Sequence, residues 1–143
     1  FILIWVIKMN EETCIEELLN GLNMGLVAID HLIDKIENTQ LRDIVLHQRK
    51  AYGDLKNTLT RDFALAEDHI TNKIMLESMI EMKTLMSDDH KIVKMLIEGS
   101  NQSVMTMTHL LNKEKHVDLK VKQYIDEFED ISQKYIDELK PFL

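Results

Sequence analysis

The sequence predicts an all-α fold: a bundle of four helices made from two similar helical hairpins. Three observations carry that reading. Breakers are scarce, with four glycines and one proline in 143 residues, and Pro141 stands near the end. The rest is rich in the helix formers Leu, Ile, Met, Lys and Glu. Apolar residues recur at spacings of three and four over long stretches, the period of one helix face, and no stretch shows strand alternation bounded by turn residues. Finally, residues 18–35, LLNGLNMGLVAIDHLIDK, recur 78 positions on as LIEGSNQSVMTMTHLLNK, residues 96–113. Leu18/Leu96, Gly21/Gly99, Asn23/Asn101, His31/His109, Leu32/Leu110 and Lys35/Lys113 are identical pairs, without a gap.

Taken in order, residues 1–8, FILIWVIK, are too few to cross a bilayer, which needs about 20 apolar residues. No basic leader or small-residue cleavage site marks them as a signal peptide. They read as an apolar extension upstream of a natural start at Met9, leaving 9–143 as a single four-helix-bundle domain. The first helix is expected from about Asn10 to Glu37, with Ile15, Leu18, Leu19, Leu22, Leu26, Ile29, Leu32, Ile33 and Ile36 on one face. Asn38-Thr39 breaks the pattern, and so short a link makes the next helix an antiparallel neighbour. That helix, Gln40 to Thr60, points Leu41, Ile44, Val45, Ala51, Tyr52, Leu55 and Leu59 inward, and Gln48 falls on the same stripe.

Residues 61–73 are mixed and polar and read as a crossover. Helical character returns at Ile74, and Ser87-Asp88-Asp89 has the oxygens of a helix cap. A third helix follows, from about Asp88 to Lys113. The link Glu114-Lys115-His116 leads to a fourth, Val117 to Lys140, with Val121, Ile125, Phe128, Ile131, Tyr135 and Leu139 inward. The stretch between the second and third helices is long enough to travel back along a bundle.

Within the repeat, Gly21 and Gly25 are four apart, and their copies are Gly99 and Ser103. Small residues at that spacing share one side of a helix and let backbones approach. The expectation is that the first and third helices cross there, near a pseudo-twofold axis.

This duplicated hairpin with a long crossover resembles the ferritin-like superfamily. Met95-Leu-Ile-Glu-Gly-Ser-Asn101, paired with Leu19-Asn-Gly-Leu-Asn23, is similar to small uncharacterised ferritin-like proteins of Gram-positive bacteria. The resemblance covers about residues 10–143. It implies the fold and no activity.

Active ferritin-like proteins hold two irons on inward carboxylates, with Glu-x-x-His on two helices. Here Asp43 and His47 are four apart, and the fourth helix has no histidine. Ser100 and Ser103 stand where the third helix would need oxygen ligands. No di-iron ligands carry over, and no cofactor is expected. The repeated His31 and His109 lie about 200° round the helix from the core residues Ile29 and Met107 and point away from the core. They remain weak metal candidates, together with Asp89 and His90.

A net charge of −8 without a basic run disfavours nucleic acid and anionic membranes. Cys14, the lone cysteine, cannot form an internal disulfide and suits a reducing, cytoplasmic setting as a partly buried side chain. No phosphate loop, nucleophile elbow or inward carboxylate pair points to catalysis. Met75, Met79, Met82 and Met86 form an apolar stripe suited to packing on the bundle or to a helical partner or second subunit. The leading expectation is a non-enzymatic structural or interaction module without a metal centre, its partner a second copy or another helical protein. A metal-binding oxidase or storage protein with non-standard ligands is one rival. Another is a small-molecule binder with a slot beside Gly25 and Ser103, where small side chains leave room.

Overall fold

In the computed structural model the described residues form four helices: α1 (Ile2–Leu32), α2 (Thr39–Asp62), α3 (Asp89–Lys113) and α4 (Leu119–Leu139). Short 3₁₀ turns, Ile33–Lys35 and Lys140–Phe142, follow α1 and α4. The structure describes residues 2–65, 81, 88–114 and 116–143, and among the described residues there is no strand. The methionine stripe at 75, 79, 82 and 86 lies outside the described residues, as do Asp68 and His69.

The helix ends follow their caps. The α-helix stops at Leu32, short of the expected Glu37, because the chain tightens into the 3₁₀ turn and Ile36 is extended (φ −76°, ψ 121°). Asn38 then caps α2, its side chain accepting from the Leu41 amide at 3.0 Å. Asp88 is extended (φ −148°, ψ 166°) and accepts from the Lys91 amide at 2.9 Å, so α3 starts afresh there. At the other end of the chain's first helix, residues 2–8 are helical and continuous with α1.

Asp89 joins the hairpins. Its two carboxylate oxygens accept from the backbone amides of Glu37 and Asn38 at 3.0 and 2.9 Å. These are amides at the N-terminal edge of α2, where a carboxylate is electrostatically favoured. The start of α3 is thereby tied to the turn before α2. Asp62, the last residue of α2, instead accepts from the Tyr124 hydroxyl and sits 3.7 Å from the Lys120 ammonium, at the start of α4. The chain therefore leaves α2 at one end of the bundle and opens α3 at the other.

Around the bundle, α1 packs on α2 and α3, α4 packs on the same two helices, and α1 also meets α4 across the middle. The core takes Leu18, Leu22, Ile29 and Leu32 from α1, Leu41 and Leu59 from α2, Ile92 and Met107 from α3, and Ile125 and Phe128 from α4. Fully burying each such side chain contributes about 1.5–3 kcal/mol relative to leaving it exposed. Leu26, Ile33, Ile44 and Ile131 are only partly covered. Cys14 is fully buried, deeper than its expected place, and Tyr124, Ser132 and Ile136 widen the inward face of α4. Glu129 is half-buried and accepts from the Thr108 hydroxyl at 2.9 Å, so it braces α4 against α3.

The Tyr124 and Asp62 pair gives a pH signature. Burial, then the hydrogen bond to Asp62, pushes the Tyr124 phenol up to about 12, while that bond holds the Asp62 carboxyl below its ordinary range. An unfolded phenol ionises near pH ~10. The raised value means the folded state keeps a proton that the unfolded chain loses. This contribution is complete below pH ~10 and disappears as pH climbs from there through the folded value. In an alkaline absorbance titration of the folded chain, Tyr124→Phe is expected to abolish the latest phenolate step. An unchanged late step in that variant contradicts the assignment.

A candidate ligand slot between three helices

Three helices converge on a cavity of ≈120 Å³. Gly21, Gly25 and Ala28 of α1 form one wall, Gln48 and Tyr52 of α2 a second, and Leu96, Ser100 and Ser103 of α3 a third. Met24, nearly half exposed at 45%, and exposed Gly99 stand at its rim, with half-buried Met95 beside them. Nothing charged is among these lining residues.

The cavity follows from how the two hairpins differ. The buried positions of α2 recur 80 residues on in α4: Leu41/Val121, Val45/Ile125, Gln48/Phe128, Tyr52/Ser132, Leu55/Tyr135 and Leu59/Leu139. In one half, the Phe128 ring fills the dent left by Gly21; a Cβ built there would lie 3.3 Å from its Cζ. The copy of Gly21 is Gly99, and the counterpart of Phe128 is Gln48. A glutamine lacks the reach and breadth of a phenyl ring, and a Cβ on Gly99 would meet nothing within 4 Å among the described residues. Among the described residues, no side chain fills the corresponding place in the second half.

Tyr52 shapes one side of the space. Its ring lies against Gly25, where a Cβ would come within 3.0 and 3.1 Å of Cε2 and Cδ2. Its hydroxyl shares a buried hydrogen bond of 2.8 Å with Ser132, and its ring meets Phe128 with centroids 5.6 Å apart. The tyrosine is thereby held from three directions.

Gln48 is 1% exposed, and its Oε1 has no hydrogen-bond partner among the described residues. A buried acceptor left unpaired costs about 1–3 kcal/mol. Gln48→Leu keeps the approximate volume and removes that acceptor, so it is expected to stabilise the fold by about 1 kcal/mol. Urea unfolding checks this: a higher midpoint with an unchanged slope is expected, and a lower midpoint would refute it.

The residues singled out from sequence fall into separate places. Gly21, Gly25 and Ser103 line the cavity, but the glycine contacts are not a simple crossing of α1 with α3. Gly25 receives a ring from α2 and Gly21 receives one from α4, with Ser103 Oγ at 3.9 Å from a Cβ on Gly21. Gly99 is a rim position and receives no side chain among the described residues. His31 is half-buried on α1, and His109 and His90 are exposed. Asp89 is occupied as a cap for the neighbouring hairpin. Among the described residues no three His, Cys, Asp or Glu side chains gather as a metal site, and no helix is long and apolar enough to cross a membrane. Sequence reasoning had Gln48 on the inward stripe and missed its importance. The signal was the register of α2 against α4, which places it opposite a phenylalanine.

Comparison with known proteins finds no family model, no curated protein and no solved structure that matches this chain.

Proposed function

We propose that this chain is a non-enzymatic binding bundle that takes a small, largely apolar molecule into the slot between α1, α2 and α3. The carrying observation is the cavity itself, which has an aromatic wall at Tyr52 and is bordered by Gln48, whose buried Oε1 has no partner among the described residues. Ligand sites in proteins have this composition: mostly apolar, with a few placed polar groups. A ferritin-like plan belongs to the same proposal. It is supported by the two related hairpins and by a chain that leaves α2 at one end of the bundle and opens α3 at the other.

The lining favours an organic ligand over a metal, since its described residues include no His, Cys, Asp or Glu. Toluene is the simplest probe. Titrated into protein labelled at methionine methyls, it is expected to shift Met24 and Met95 saturably and to leave exposed Met105 in place. No shift at Met24 or Met95 overturns the proposal. Metal analysis of untagged protein addresses the rival: stoichiometric iron or manganese, lost on His31→Ala or His109→Ala, would favour a metal-dependent role.

A further inference from the structure

We infer that the slot selects a neutral single-ring molecule bearing one O–H or N–H donor, of the phenol or aniline kind, and holds that donor on Gln48 Oε1. The inference rests on the slot being a ligand site and adds the chemistry of what enters it.

Size comes first. An engineered cavity of about 150 Å³ takes up benzene, and the space here is ≈120 Å³ with an open rim. The space is of single-ring size. Shape and softness favour an aromatic ring over an aliphatic chain. The Tyr52 ring supplies a flat wall, and the Met24 and Met95 thioethers supply sulfur contacts that favour aromatic edges.

Polarity then fixes the substituent. Gln48 Oε1 is a buried acceptor with nothing donating to it among the described residues, and the residue borders the slot. The terminal torsion of glutamine is broad, so the oxygen can swing to meet a donor in the slot. With no carboxylate among the described lining residues, a cationic ligand would lose its hydration without gaining a counter-charge there. A neutral hydroxyl or aryl amine gains the hydrogen bond without that loss. Ser100 and Ser103 add hydroxyls on the opposite wall.

The test pairs phenol with toluene on the wild-type chain and on Gln48→Leu, with affinity read by calorimetry or NMR titration. Phenol is expected to lose about tenfold or more in the variant, whereas toluene holds its affinity. Equal phenol affinity in both proteins overturns donor recognition and leaves the slot standing as an apolar site. Failure of both probes on the wild type removes the slot reading, and this inference with it. A second measurement needs no variant: the Gln48 side-chain amide signal should move with phenol and not with toluene. If it stays fixed, or if a crystal of the phenol-soaked protein shows only a water on Oε1, the inference is wrong.

Discussion

Phe128→Ala is expected to lower the unfolding free energy by about 3–5 kcal/mol, the range for truncating a buried phenylalanine. Folded domains are stable by only about 5–15 kcal/mol, so this is a large share. The melting temperature should fall by roughly 10 °C. Phe128 is 1% exposed and touches the Tyr52 ring, and its edge occupies the dent at Gly21 where α1 meets α4. Removing it vacates the centre of the bundle, and the hydrogen bond from Tyr52 to Ser132 limits how far Tyr52 can move to fill the gap. A double-mutant cycle isolates the contact with Gly21. On the wild type, Gly21→Ala sets better helix propensity, about 1 kcal/mol, against a 3.3 Å approach to Phe128, and the two effects offset. In the Phe128→Ala background the approach is gone, and Gly21→Ala should stabilise by about 1 kcal/mol. Additive effects in the cycle would mean that the glycine is not there for the ring.

Much of the fold was legible in the sequence. Period 3.6 named the inward residues of α1 and α2 with few exceptions, because a helix facing a core cannot hide its apolar stripe. Ser87-Asp88-Asp89 signalled a helix start, and Asp88 does cap α3. Asp89 was harder. Beside His90 it looks like a cation ligand, yet its oxygens serve backbone amides 51 and 52 residues away. No local pattern contains that information. The slot was half legible for a similar reason. Small residues at Gly25 and Ser103 marked where space exists, but whether it is filled depends on what the other hairpin presents. That required aligning Gln48 with Phe128, a comparison between elements that the repeat in α1 and α3 does not cover. The apolar run at the start reads as a separate extension from its composition, and its residues 2–8 are helical in line with α1, a continuity that hydropathy alone does not carry.

Gly25→Leu should destabilise the fold by about 1–3 kcal/mol through overpacking, and the neighbour responsible is Tyr52. Even a bare Cβ at Gly25 would lie 3.0 Å from the ring, and a leucine adds three more carbons along the same side. The ring cannot turn away freely. Its hydroxyl is engaged with Ser132 and its face with Phe128, so any shift also loosens the α2–α4 contact. The structure therefore expects Gly25→Leu to be partly rescued by Tyr52→Ala, which removes the obstruction at the expense of the hydrogen bond. Gly99→Ala supplies the opposite sign. A Cβ there meets nothing within 4 Å among the described residues, and alanine is better than glycine inside a helix by about 1 kcal/mol. Two glycines from one repeated motif should thus respond in opposite directions, with thermal melts falling for Gly25→Leu and rising for Gly99→Ala. If both variants fell, Gly99 would be a close helix contact as Gly25 is, and the Cβ position at Gly99 would not be free. Opposite shifts would instead set Gly25, which receives the Tyr52 ring, apart from Gly99, whose copy Gly21 receives Phe128 while Gly99 itself meets no side chain among the described residues.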